Sequence, residues 1–137
     1  MSRVTEAAVL VDGQVVGALD GPGLLVLLGV THDDGSSQAE TMARKLHELR
    51  VLRDERSVAD TGAGVLVVSQ FTLYGSTRKG RRPSFTSAAR PAHAEPLIEE
   101  VVARLRARGV TVATGRFGAT MAVHSIADGP FTVLLEV

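Results

Sequence analysis

Apolar residues along the chain fall into short runs separated by turn residues, and the runs mark strands before they mark helices. Ala7 to Val11 and Gln14 to Leu19 flank Asp12-Gly13, a pair that tolerates positive φ and matches strand twist, so a hairpin is expected. Asp20-Gly21-Pro22-Gly23 reads as a second turn. Leu24 to Val30 is apolar on both faces, which predicts a central strand covered on both sides. After a break at His32-Asp33-Asp34-Gly35, Ser37 and Glu40 have capping-box spacing. Ala39, Met42, Ala43, Leu46 and Leu49 then recur at the helical period. Val51-Leu52 is a short apolar step, and Asp54 to Gly64 is polar and turn-rich, a loop. Val65 to Val68 predicts a further strand that runs on through Ser69-Gln70-Phe71-Thr72-Leu73-Tyr74. A long loop follows from about Gly75 to Arg90.

The second helix is expected from about His93 to Arg108, with Leu97, Ile98, Val101, Val102 and Leu105 on its buried face and Gly109 placed to end it. Pro91 and Pro96 fall at or near its first turn, where a missing N–H does least harm. Val110 to Thr114, Thr120 to Ile126 and Phe131 to Val137 predict three closing strands. Two helices with one buried stripe each cover one side of a sheet, so the surplus strands require a second β layer. Residues 1–137 show no repeat, low-complexity stretch or linker, and one domain is expected.

Composition sharpens this picture in a few respects. Aromatic residues make up only 4% of the chain against 45% hydrophobic residues, so the core must be aliphatic. Fifteen basic residues balance fifteen acidic ones, so an RNA-binding surface has to come from local clustering. With no cysteine, disulfides, thiolate nucleophiles and thiolate metal sites are excluded. No signal-peptide pattern is present, and Leu24 to Val30 is far short of the ~20 residues of a membrane span. A soluble cytoplasmic protein is the expectation.

The candidate chemistry is sparse. His32, His47, His93 and His124 lie at no metal-ligand spacing, so no metal and no cofactor are expected; His47 and His93 read as solvated helix residues and His124 as a partly exposed strand residue. There is no G-x-S-x-G elbow and no P-loop. Gly115-Arg116-Phe117-Gly118 reads as a turn between strands. Three features remain. Ser69-Gln70-Phe71-Thr72-Leu73 sets hydroxyls and an amide at the end of an apolar strand, which marks either a site mouth or a strand emerging into solvent. Arg78, Lys79, Arg81 and Arg82 crowd one loop which, with Arg104, Arg106 and Arg108, forms either a phosphate-binding patch or a solvated surface. Asp128-Gly129-Pro130-Phe131-Thr132 is either an ordinary turn or a site for a cis peptide, which X-Pro allows within about 0.5–1 kcal/mol of trans.

Taken in order, these segments resemble the D-aminoacyl-tRNA deacylases over nearly the whole chain, from Arg3 to Val137. Val11 to Gly17 is similar to the family's opening hairpin and Gly23 to Val30 to its central strand. Ser69-Gln70-Phe71-Thr72-Leu73 matches the family's S-Q-x-x-L signature. Arg82-Pro83-Ser84-Phe85 matches R-P-S-F, Thr114 to Ala119 with Met121 matches a further segment, and Gly129-Pro130-Phe131-Thr132 stands where the family has G-P-V-T. The resemblance implies a three-layer β/β/α fold of mainly antiparallel or mixed sheets. It also implies a homodimer whose active sites lie at the interface, where S-Q-x-x-L of one subunit faces a Gly-cisPro of the other. The implied substrate is the aminoacylated 3′ end of tRNA. D-amino acids would be removed, with glycine, including glycine mischarged on tRNA-Ala, and L-amino acids would be rejected.

The departures are specific. The chain reads Met1-Ser2-Arg3-Val4 where the family has a Q-R-V triplet preceded by several residues, so Ser2 replaces Gln while Arg3 keeps the arginine that braces the Gly-Pro segment. The loop from Asp54 to Gly64 is shorter than in many members and lacks their M-N pair. Ala127 and Phe131 alter the usual V-N-D-G-P-V-T.

The resemblance puts Ser69, Gln70, Phe71, Thr72, Gly129 and Pro130 in the catalytic constellation. Leu73, Phe85, Met121, Arg3 and Thr132 join them as substrate-binding residues, while Arg78, Lys79, Arg81 and Arg82 are the candidate phosphate patch on the strength of their clustering in the loop alone. No strong general base accompanies Thr72, and a hydroxyl without one is a poor nucleophile. The ribose 2′-OH of the substrate is therefore the expected activator of water. Two other readings stand beside this one: a non-catalytic tRNA- or RNA-binding module, and a small-molecule esterase.

Overall fold

Strand β1 (Ser2–Val11) pairs with three other strands in the computed structural model, which describes residues 1–137. Its second half forms the expected hairpin with β2 (Gln14–Ala18) across Asp12 and Gly13, whose φ values of 50° and 76° are those a tight hairpin turn demands. Its first residues pair antiparallel with β3 (Gly23–Leu28), and β6 (Ala122–Thr132) runs antiparallel along its other edge. Strand β4 (Gly64–Ser69) joins β3 in parallel, and β5 (Val112–Thr114) joins β4 in parallel. The order is β2-β1-β3-β4-β5, with β6 on β1.

The period-2 alternation of β3 and β4 divides the core. Leu24, Val26, Leu28, Val65 and Val67 pack against α1 (Ser36–Glu48) and α3 (Pro91–Ala107), through Ala39, Ala43, Leu46, Val101, Val102 and Leu105. Leu25, Leu66 and Val68 point the other way, onto Val4, Ala7 and Val9 of β1. The central strand is thus covered on both sides, apart from Leu27, which is exposed. The second layer is not a separate sheet. The one six-stranded mixed sheet curls toward a barrel until β2 meets β5, where a Cβ on Gly17 would strike the Thr114 carbonyl. Long-range pairing of β1 produces this closure, and strand patterning does not reveal it.

Other expectations need correction. Helix α1 begins at Ser36, and the Gly35 N–H donates to Gln38 Oε1 at 3.0 Å. Ser37 Oγ also donates to Gln38, so the Ser37–Glu40 box does not form. A true box closes inside the expected loop. Ser57 N–H donates to Asp60 (2.8 Å) and Asp60 N–H to Ser57 Oγ (3.1 Å), capping a one-turn helix α2 (Val58–Thr61) that left-handed Gly62 ends. That makes three helices. Strand β4 stops at Ser69, and Phe71–Tyr74 forms a 3-10 turn. The two last strands are one: β6 runs through Asp128-Gly129-Pro130, because the long edge of β1 pairs with it on both sides of two irregularities in register. Past Thr132 the strand ends, although Val133 and Met1 still exchange a reciprocal pair of hydrogen bonds at 2.9 Å. No helix is long and apolar enough to cross a membrane.

Candidate active site

A cavity of about 580 Å³ opens where β3 and β4 end. Its floor is Leu28, Gly29, Val68 and Ser69, and its walls are largely apolar. The Gln70 N–H still donates to Leu28 O (2.8 Å), so the ladder delivers Ser69 and Gln70 to the rim before the chain breaks into the 3-10 turn. The first hydrogen bond of that turn is Leu73 N–H to Gln70 O, at 3.3 Å. The N–H groups of Phe71 and Thr72 precede it and have no partner within the turn. Phe71 and Phe85 stand edge to face at 5.2 Å, joining the start of the turn to the long loop.

Of the residues singled out in the sequence, Ser69, Gln70, Phe71, Phe85 and Met121 line this cavity. Thr72 is exposed and does not line it; its hydroxyl accepts from Gln70 Nε2. Leu73 faces away, into a separate groove with Leu27, Val133 and Leu134. Sequence reasoning missed Phe117, Ala89, Ala94 and Ile98 as walls. Phe117 lies in the segment read as a turn, which it is, with Ala119 N–H bonded to Arg116 O at 3.2 Å. A second cavity of about 520 Å³ shares Ser69, Ile98 and Phe117 with the first.

Gly129 and Pro130 stand elsewhere in the chain. The peptide between them is cis, and both residues are exposed. Arg3 pairs with Leu24, which pairs with Val65, so this segment lies at the opposite end of β4 from Gln70. Five residues of strand rise separate the two levels, roughly 16 Å. Arg3 does brace the segment. Its Nε donates to the Asp128 carbonyl at 2.9 Å, its guanidinium lies 5.0 Å from the Phe131 ring centroid, and a Cβ on Gly129 would come within 2.6 Å of Arg3 Nη2. Thr132 Oγ1 and Ser2 Oγ share a hydrogen bond at 3.0 Å, so Ser2 ties the strand start to β6. The Asp128 carboxylate accepts from Arg53 at 3.1 and 2.5 Å, which holds its pKa below the usual aspartate value.

The basic surface is smaller than expected. Arg104 binds Glu100 and Glu40, Arg108 binds Glu40, and Arg106 donates to Val112 O at 3.0 Å, so α3 spends its cations on the fold. Arg78, Lys79, Arg81 and Arg82 are exposed and form no ion pair. Among the histidines, His32 Nε2 meets Thr86 O at 2.7 Å and His93 Nε2 meets Asp34 O at 2.8 Å. His47 is half-buried rather than solvated, and its Nδ1 has no partner. No group of three or more His, Asp or Glu stands together where it could hold a metal ion.

The mixed α/β fold, with its near-barrel sheet and three helices, recurs in solved structures. "c-Myc DNA Unwinding Element Binding Protein" superposes with a TM-score of 0.91 at 39% identity, over 99% of this chain and 95% of that one. A structure described as a "probable eukaryotic D-amino acid tRNA deacylase" shares the fold at a TM-score of 0.84 and 18% identity, over 95% and 93% of the two chains. The chain belongs to the D-Tyr-tRNA(Tyr) deacylase family, whose model matches residues 1–136. D-aminoacyl-tRNA deacylases of Kineococcus radiotolerans and Streptomyces coelicolor are each 61% identical to it, over 99% of this chain and 96% of the first protein, and over 100% and 97% for the second.

Proposed function

We propose that this chain hydrolyses the ester that joins a D-amino acid to the 3′ end of tRNA, releasing free D-amino acid and tRNA and leaving L-aminoacyl-tRNA intact. Family membership over residues 1–136 carries this reading. The cavity under Ser69, Gln70 and Phe71 supports it, being large enough for an aminoacylated nucleoside and open at a polar rim.

Water adds to the ester carbonyl, the bond from that carbon to the ribose oxygen breaks, and the ribose oxygen takes up a proton. The substrate's own 2′-OH helps to activate the water. N–H groups at Phe71 and Thr72 receive the oxyanion, and Ser69 and Gln70 position adenosine and ester. Thr72 has no base beside it, and its hydroxyl is already engaged by Gln70.

The working unit is a homodimer in which Gly129 and Pro130 of one subunit enter the site of the other. Two observations support this. The Gly-Pro segment and Gln70 lie at opposite ends of the sheet within one chain, and Val123, Ile126, Phe131, Leu134 and Val137 leave apolar surface exposed around β6. Carbonyls of Gly129 and Pro130 accept from the substrate amine, so a D side chain points to open space while an L side chain strikes backbone. Glycine has no side chain to reject, and glycyl-tRNA, including that formed on tRNA-Ala, is cleaved. The loop carrying Arg78, Lys79, Arg81 and Arg82 meets tRNA phosphates.

D-Tyr-tRNA, Gly-tRNA and L-Tyr-tRNA assayed side by side test this reading. Loss of ester from the first two alone is expected. Equal cleavage of both tyrosyl enantiomers, or tight binding with no cleavage, would overturn it. If Thr72→Ala keeps binding and loses all turnover, the nucleophile role returns to Thr72.

A further inference from the structure

We propose that Arg53 is a positioning residue that holds the Gly129-Pro130 segment through Asp128 and thereby sets how strictly handedness is enforced. The inference rests on the reading of that segment as the selector. Selection by steric clash requires the selector not to yield, and the backbone here has little of its own to fix it. Gly129 has φ of +124° and no side chain, Gly129 and Pro130 are exposed, and the β1–β6 register is interrupted between Ser2 and Val4 and again between Val4 and Glu6. The segment is fixed by two arginines acting on one residue. Arg3 takes the Asp128 carbonyl and lies 3.4 Å from its carboxylate, while Arg53 takes both carboxylate oxygens in a fork.

Arg53 is well placed to act as an anchor although its side chain is 66% exposed. It precedes Asp54 and Glu55, which both adopt left-handed φ, 58° and 54°, a conformation L-residues seldom take. The turn is closed by Leu52 N–H to Arg56 O at 2.9 Å and by Arg56 N–H to Arg53 O at 3.3 Å. Leu52 in turn is buried in the helix-side core. A chain of contacts therefore runs from the core through Leu52, the turn and Arg53 to Asp128, the residue before Gly129.

Arg53→Ala, Arg53→Lys and Asp128→Asn test the idea in the full-length protein, with two readouts. Cleavage of D-Tyr-tRNA and L-Tyr-tRNA is compared, and hydrogen exchange is followed across Ala127 to Thr132. Arg53→Ala is expected to melt within a few degrees of the wild type and yet to narrow the D-to-L rate ratio by at least about tenfold, as loss of a charge-assisted contact implies. Asp128→Asn does the same, and Arg53→Lys, with its single point charge, restores part of the ratio. Exchange at residues 127–132 rises at least about tenfold in Arg53→Ala, by the same contact loss. A purely structural role would lower both rates in parallel and leave the ratio unchanged. Unchanged ratio or unchanged exchange would overturn the proposal. If the wild type failed to cleave D-Tyr-tRNA, the selector reading would fall, while the exchange experiment would still decide whether Arg53 holds the segment.

Discussion

At Asp128 one carboxylate answers two guanidinium groups, and Arg53 in particular keeps it ionised to lower pH than a free aspartate. A carboxyl group whose folded pKa is depressed contributes stability above its unfolded pKa, about 3.9, and loses it as pH falls through the folded value. Wild-type protein should therefore lose stability on acidification below about pH 4 more steeply than Asp128→Asn, which has no such proton to take up. Thermal melts of both proteins across that range would check this; identical slopes would remove Asp128 from the account. Single residues were unevenly legible in the sequence. Ser69 and Gln70 stood out because polar groups interrupt an apolar strand, and they reach the cavity rim. Arg53 did not, because its partner lies 75 positions away and no local spacing encodes that. Leu73 shares a signature with Gln70, yet the 3-10 turn rotates it into a different groove.

Elements were read best where a periodic stripe met a core and worst where two partners competed for one residue. The stripes of α1 and α3 did find the sheet, and Leu46 at their centre is 1% exposed. Leu46→Ala should cost about 2–5 kcal/mol, measured by urea unfolding. Glu40 had the spacing for a cap and instead binds Arg104 and Arg108 across the helix pair. The Ser57–Asp60 box was equally readable and did form, inside a stretch whose polarity suggested a loop. Closure between β2 and β5 rests on Gly17, which no period identifies. Gly17→Ala would press a methyl group into the Thr114 backbone, and a destabilisation of about 1–3 kcal/mol is expected in the same assay.

For the whole molecule, β1 decides both the barrel-like curl and the separation of the two halves of the candidate site. Neither follows from local pattern, since both depend on which distant strands share its edges. The proposed exchange of selectors between subunits makes a sharp prediction. Gln70→Ala and Gly129→Val should each be nearly inactive alone. Mixed and allowed to re-pair, half of the dimers join one of each, and each of those holds one intact site of two. Activity should return to about a quarter of wild type, by the symmetry of a two-fold pair. No recovery would mean that each chain completes its own site.

The placement of Gln70 and Gly129 at far ends of one sheet has a last consequence. If each copy holds only half of what the chemistry needs, turnover per chain is not a constant of the protein. It falls as the copies thin out, and where single chains predominate it is proportional to their number per volume, so that total turnover follows the square of that number. Scarcity of the protein would then silence proofreading sooner than the loss of copies alone implies.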